Sequence, residues 1–279
     1  LEEARTMTAG PVGMNFIVAG WADEKTGTLE PEAVAAVKEA ASRAKVVEFF
    51  YADPDPSLVE MAHAGGALAC WQVGSVEEAV AAERAGCDLI VAQGTEAGGH
   101  VRGRSGLAVL LDRALPSVKI PVIAAGGIGT GKAMAKALAA GASAVRVGTR
   151  FIVAAESEAH PRYIERLIAA EAKDTVLTEA FSTNWPNAPH RVLRASVDAM
   201  RRAPDDVVGE RVFQWDSEHR FPVHRGDSLT PMLSTTGDID AMPHWAGESV
   251  DAVNRVQPAA EIVRELVDEA ERILRTRRG

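Results

Sequence analysis

The sequence predicts an α/β fold built on a parallel sheet of the barrel-forming kind. Three observations carry that prediction. Short apolar runs recur along the first half of the chain, and each stops at a glycine or another turn former. Helix-like text lies between them, giving strand–helix units of roughly 20 to 35 residues, the rhythm of a parallel sheet. The last two runs, IPVIAAGGI (Ile120 to Ile128) and AVRVGTRF (Ala144 to Phe151), open into glycine loops of the type found late in a (β/α) barrel.

The elements follow in order. Val12 to Ala19 reads as a strand and Pro31 to Arg43 as a helix. Val46 to Tyr51 is the next strand, broken by Asp53-Pro54, with helix text from Pro56 to His63. Ala67 to Val73 is a strand ending at Gly74-Ser75. Ser75 can cap the helix Val76 to Ala85, which carries Glu77 and Glu78 in its positive first turn. Leu89 to Ala92 is the central strand, and Leu107 to Ala114 is helical. Pro121 to Ala125 and Ala144 to Val147 are strands flanking the helix Gly131 to Ala140. That makes six strands where a complete barrel has eight. The expected fold is therefore a TIM-type α/β barrel lacking its first two strands.

Beyond Phe151 the text changes. Glu156 to Ala172 reads as a helix. Phe181 to Arg225 is mixed, with Trp185, Pro186, Pro189, Phe213, Trp215 and Pro222, and suits a small α+β excursion. Its aromatic residues pack that excursion or line an apolar pocket. Pro258 to Arg275 is amphipathic, with Ile262, Val263, Leu266, Val267, Ala270, Ile273 and Leu274 on one stripe. The expected organisation is residues 1–155 for barrel strands three to eight, 156–245 for a substrate or lid domain, and 246–279 for a helix returning to the barrel.

Composition narrows the function classes. The chain has 279 residues, 47% hydrophobic and 25% charged, as in an ordinary globular protein. A net charge of -9 disfavours nucleic acid as a partner. No apolar stretch is long enough for a membrane span, and LEEARTMTAG lacks a signal-peptide pattern. Two cysteines, Cys70 and Cys87, beside apolar runs read as buried thiols in a cytoplasmic protein. A homo-oligomer is compatible with all of this.

The chemistry is expected in LIVAQGTEAGGHVRG, Leu89 to Gly103. Gln93 ends the central strand, and Gly98 and Gly99 let the backbone approach a ligand closely. His100 follows, at the C-terminal end of a strand where barrel enzymes keep their reacting groups. Gly126-Gly127 and Gly148-Thr149 suit a phosphate bound by backbone N–H groups, with the Thr149 hydroxyl as a further donor. There is no GxGxxG after a first strand, no GxxxxGK[ST] and no HExxH, so neither a dinucleotide fold nor a metal site is expected.

AQGTEAGGH, PVIAAGGI and VRVGTRF together resemble the nitronate monooxygenases, formerly called 2-nitropropane dioxygenases, which are FMN-dependent TIM barrels. GMNF (Gly13 to Phe16) is similar to the family's third barrel strand, and WAGES with QPAAEIVRELVDEAERIL to its closing segment. The resemblance implies that Asn15 and Gln93 hydrogen-bond the flavin. It implies that Gly98 and Gly99 pass over the cofactor, and that Gly126, Gly127, Arg146, Val147, Gly148 and Thr149 hold its phosphate. His100 becomes the catalytic residue, and His190, in NAPHRVLR, borders the site. The other histidines read as surface or packing residues.

The implied reaction converts an alkyl nitronate, or a nitroalkane, and O2 into a carbonyl compound and nitrite. A neutral imidazole can hydrogen-bond the nitronate charge or take a nitroalkane α-proton, since its ordinary pKa is about 6.5. The alternatives are a flavin-dependent enoyl-acyl-carrier-protein reductase, an NAD(P)H:quinone reductase on the same barrel, and a non-catalytic flavin-binding protein.

Overall fold

The computed structural model describes residues 1–21, 29–183, 185–213 and 216–276. In chain order they form α1 (Glu2–Met7), β1 (Gly13–Ile17), α2 (Pro31–Arg43), β2 (Val46–Phe50), α3 (Pro56–Ala64), β3 (Leu68–Val73), α4 (Val76–Arg84) and β4 (Leu89–Gln93). Then come β5 (Gly99–His100), α5 (Leu107–Ala114), β6 (Val122–Ala125), α6 (Gly131–Ala139), β7 (Ala144–Arg146) and α7 (Thr149–Ile152). The remainder holds α8 (Pro161–Ile168), β8 (Thr175–Thr178), β9 (His190–Leu193), α9 (Arg194–Arg202), β10 (Val207–Phe213), β11 (Asp216–His224), β12 (Thr236–Gly237) and α10 (Ala259–Thr276). Trp215 lies outside the described residues.

The chain divides into two compact units. The first comprises Leu1–Gln93, Gly103–Ala124 and Gly141–Ala144. It carries the six expected strands as one sheet in the order β1-β2-β3-β4-β6-β7, with the last residue of β6 and the last two of β7 counted in the second unit. The pairs β1–β2, β2–β3 and β3–β4 are parallel, with registers such as Phe16↔Phe49 and Cys70↔Leu89. This is the parallel α/β architecture that the glycine-stopped apolar runs predict.

The sheet forms because its central strands bury both faces. Val47, Phe49, Ala69, Trp71, Ile90 and Val91 are all fully buried. Phe49 and Trp71 pack with centroids 5.1 Å apart. Burying a side chain of this size contributes about 1.5–3 kcal/mol. The helices between the strands start where their caps say. Asp55 accepts from the N–H of Ser57, and Ser75 accepts from that of Glu78. Cys70 and Cys87 are buried free thiols, and burial pushes the Cys87 thiol up to about 12.

The second unit comprises Gly94–Arg102, Ala125–Ala140 and Val145–Gly279. It contains the expected α+β excursion. One three-stranded sheet has the order β5-β9-β8 and another β11-β10-β12, and their strand pairs are antiparallel. Phe181, Val192, Val197, Met200, Val223 and Met242 form one core cluster; Tyr163, Leu167, Leu193, Ala246 and Val250 form part of another. The amphipathic stripe of α10 buries Ile262, Leu266 and Ala270.

Two expectations are corrected here. The helix expected over Glu156 to Ala172 is shorter, Pro161–Ile168. Pro161 lacks the N–H that an earlier start would need, and His160 caps the first turn by accepting from Arg162 N–H. Residues 172–174 form a separate 3-10 turn. Gly99 and His100, read as loop, are a two-residue strand, because β9 supplies a partner for their backbone groups.

Candidate active site

His100 is positioned by backbone pairing. Gly99 faces Arg191, and His100 faces His190, across β5 and β9. Gly99 has φ +76°, a left-handed conformation that a side chain would strain. Gly98 allows a close approach instead. A Cβ there would lie 2.5 Å from the Gly247 nitrogen and 2.8 Å from the Ala246 carbonyl carbon. So the two glycines before His100 do different work, one in the turn and one in packing.

The imidazole sits in an aromatic cage. Its centroid is 4.1 Å from that of Trp185, 5.3 Å from Trp245 and 5.5 Å from His190. Burial first, and the neighbouring His190 second, push the His100 pKa down to about 4. His100 is therefore neutral across the physiological range.

His190 is fully buried, and its tautomer follows from its partners. The Phe181 N–H donates to Nε2 at 3.2 Å, so Nε2 carries the lone pair. Nδ1 then carries the hydrogen and donates to the Ala188 carbonyl at 2.9 Å. Protonating Nε2 would break the first bond, and burial likewise lowers the pKa of this ring. His190 orients and insulates; it has no nitrogen left to relay a proton.

Trp245 is held from behind. Its carbonyl accepts the Tyr163 hydroxyl at 2.5 Å, and Tyr163 stacks on His244 with centroids 4.8 Å apart. His244 is buried and donates from Nε2 to the Ile239 carbonyl at 3.0 Å, and burial pushes its pKa down to about 4.

These depressed values set a pH dependence. In the unfolded chain His100 and His244 take protons near pH 6.5; in the fold they do so only near 4. Between those values the unfolded state binds more protons, so stability is complete above pH 6.5 and falls as pH drops toward 4. The expected loss is roughly 2 to 3 kcal/mol for each residue. Thermal unfolding followed from pH 7.5 to 4 should show a falling midpoint from pH 6.5 downward, and His100→Asn should flatten that slope. A midpoint constant down to pH 5 would disprove the burial argument.

The glycine loops lie in the same unit as His100. Gly126 and Gly127 have φ +106° and +68°. They pack on the His100 loop, where a Cβ on Gly126 would be 3.1 Å from the Ala97 nitrogen and one on Gly127 would be 3.1 Å from Glu96 Cβ. Gly148 is exposed and opens onto free space: a Cβ there would meet nothing within 4 Å. Arg146 is exposed and Val147 is half-buried beside Phe151 in the α10 cluster. Arg150, not singled out by the sequence, is buried, donates to the Gly129 carbonyl at 3.1 Å and pairs with Glu265. It braces the two glycine loops together.

Thr149 is tied to a distant segment by an acceptor contact that leaves its O–H free to donate. It is 4% exposed, and its Oγ1 accepts the Gly247 N–H at 2.9 Å. Asn15 and Gln93 belong to the other unit. Asn15 is exposed on β1, with its amide nitrogen donating to Glu48 at 2.7 Å, and Gln93 is buried at the end of β4. Sequence reasoning missed Trp245 and Arg191 as neighbours of the histidine loop. The alternation in HRVL was the available signal for Arg191; for Trp245 it was the WAGES segment, Trp245 to Ser249. His63, His219 and His224 pair with aspartates at the surface, as surface histidines do.

A family model described as nitronate monooxygenase matches residues 1–269. A nitronate monooxygenase of Pseudomonas aeruginosa is 33% identical over 237 residues, covering 81% of this chain and 64% of that protein. One from Neurospora crassa is 34% identical over 226 residues, covering 76% of this chain and 56% of that protein. The chain thus spans about three fifths of the length of the curated relatives it matches. Among solved structures, FabK from Thermotoga maritima matches with TM-score 0.75 and 29% identity, over 100% of this chain and 81% of that one. A nitroalkane oxidase from Streptomyces ansochromogenes matches with TM-score 0.74 and 27% identity, over 100% of this chain and 85% of that one.

Proposed function

Because the chain belongs to the nitronate monooxygenase family, we propose that the protein is an FMN-dependent oxidoreductase converting alkyl nitronates and O2 to carbonyl compounds and nitrite. The observation that carries this reading is the neutral His100, caged between Trp185 and Trp245 at the mouth of a glycine loop. A planar, delocalised anion suits such a place. The indole faces exclude water, and a neutral imidazole can donate one hydrogen bond to a nitro oxygen or accept a proton.

The glycine loops support a phosphate-bearing cofactor. Gly148 faces free space that a side chain would fill, and Gly126 and Gly127 adopt the left-handed backbone that glycine turns use. Gly126, Gly127 and the backbone from Arg146 to Thr149 would hold the FMN phosphate. Thr149 would contribute its O–H, because the Gly247 N–H occupies only a lone pair of that oxygen. Asn15 and Gln93 are proposed as flavin-ring contacts on the strength of the family resemblance. Bound FMN would supply the electron transfer between substrate and oxygen. A cytoplasmic location goes with this reading.

The test is a comparison of reductants on the full-length protein. Under anaerobic conditions an alkyl nitronate should bleach the visible flavin band, and NADH should not. In air the nitronate should yield nitrite and carbonyl compound in equal amounts. Bleaching by NADH alone would select the reductase alternative.

A further inference from the structure

We propose that the segment Trp245 to Glu248 is a strap coupling the glycine loop at Thr149 to the histidine loop, and that Arg191 is the positioning residue that closes it. Two successive N–H groups anchor the strap to the two loops. The Gly247 N–H donates to Thr149 Oγ1 at 2.9 Å. The next one, the Glu248 N–H, donates to the Glu96 carbonyl at 2.9 Å. At Gly247 the strap and the histidine loop also touch backbone to backbone. A Cβ on Gly247 would lie 2.7 Å from both the Glu96 oxygen and the Gly98 nitrogen. Neither chain can slide past the other without breaking these contacts.

Arg191 spans both partners. Its Nε donates to the Thr95 carbonyl at 2.8 Å, and its Nη1 donates to Thr175 Oγ1 at 3.1 Å. Its Nη2 pairs with the Glu248 carboxylate at 3.3 Å, and the Arg191 side chain is only 12% exposed. The Arg191 carbonyl also accepts the Ala246 N–H at 3.3 Å. One residue therefore holds the histidine loop, the strap and β8 in a single register. A guanidinium suits this because its donors point in fixed, divergent directions. The strap also carries Trp245, whose ring lies against His100. Displacing Gly247 would thus disturb both the backbone beneath His100 and the indole over it.

The consequence for cofactor binding rests on the phosphate reading above; the coupling itself does not. The experiment therefore begins with flavin-free full-length protein. The His100 imidazole is titrated by NMR with labelled histidine, its signal assigned by its loss in His100→Asn. Thr149→Val removes the acceptor for Gly247 and should raise the His100 midpoint from about 4 by about one pH unit as the cage loosens. Thr149→Ser should keep the original midpoint. Arg191→Gln should raise it as well, and Arg191→Lys should do so less. Combining Thr149→Val with Arg191→Gln should shift the midpoint no further than the larger single effect, because both open one strap.

If Thr149→Val does not fold, Glu248→Gln, at a half-exposed position, decides the matter: it should raise the midpoint in the same direction. An unchanged midpoint in Thr149→Val and Glu248→Gln would overturn the strap, as would equal shifts in Thr149→Val and Thr149→Ser. In protein loaded with FMN, Thr149→Val should lower both flavin affinity and kcat, and Thr149→Ser should restore both. Failure of flavin to bind at all would count against the cofactor reading and leave the NMR result to stand alone.

Discussion

His100→Asn should lower turnover of a neutral nitroalkane by roughly 10²- to 10⁴-fold, the usual worth of a positioned general base, and turnover of the preformed nitronate far less. The contrast follows from the proton. A nitroalkane must lose its α-proton before it is oxidised; the nitronate has already lost it. Asparagine keeps polar atoms near the same place and cannot accept that proton. The cage adds a second expectation. A base whose pKa is pushed down to about 4 is neutral at working pH but weakly basic. The unmodified enzyme should therefore prefer the nitronate, and the acid limb of its kcat/KM profile should lie well below pH 6.5. Steady-state kinetics on both ionisation forms, across pH, measure all of this. Equal losses on the two forms would make His100 a binding or structural residue instead.

Gly148→Leu should weaken FMN binding by about 100-fold, or ~3 kcal/mol, and leave the melting temperature unchanged. Gly148 has φ -112°, which any residue can adopt, and a Cβ there touches nothing within 4 Å. The fold therefore has no reason to resist the leucine. The space it enters is the space proposed for the phosphate, so the cost falls on the ligand. Gly127→Leu is the control. There φ is +68° and the Cβ would press on Glu96, so about 1–2 kcal/mol of stability should be lost along with the flavin. Flavin titration and thermal unfolding of both variants separate the two effects. Wild-type flavin affinity in Gly148→Leu would remove the phosphate assignment at that loop.

Much of this was readable in the chain as written. Apolar runs stopped by glycine or another turn former marked the six strands of the parallel sheet, and Pro31, Pro56 and Ser75 marked helix starts. These signals are local: each depends on sterics and hydrogen bonds within a few residues. Gly99, Gly126 and Gly127 were legible for the same reason, since a left-handed turn favours glycine. The helix over Glu156 to Ala172 was overextended because helix-forming text continued past a proline start and a capped end.

What the tertiary structure decided was the environment of each group. His100 and His190 are separate words in the sequence. Their adjacency, the neutral tautomer of His190 and the depressed pKa of His100 arise only when β5 pairs with β9. Thr149 reads as a donor to phosphate, and only the fold adds that its oxygen also accepts from Gly247, far along the chain. Local sequence determined which segments could be strands, turns and helices, because those preferences are set by short-range geometry. Charge state, hydrogen-bond partner and neighbouring ring depend on desolvation and long-range pairing, which exist only once distant segments are packed together.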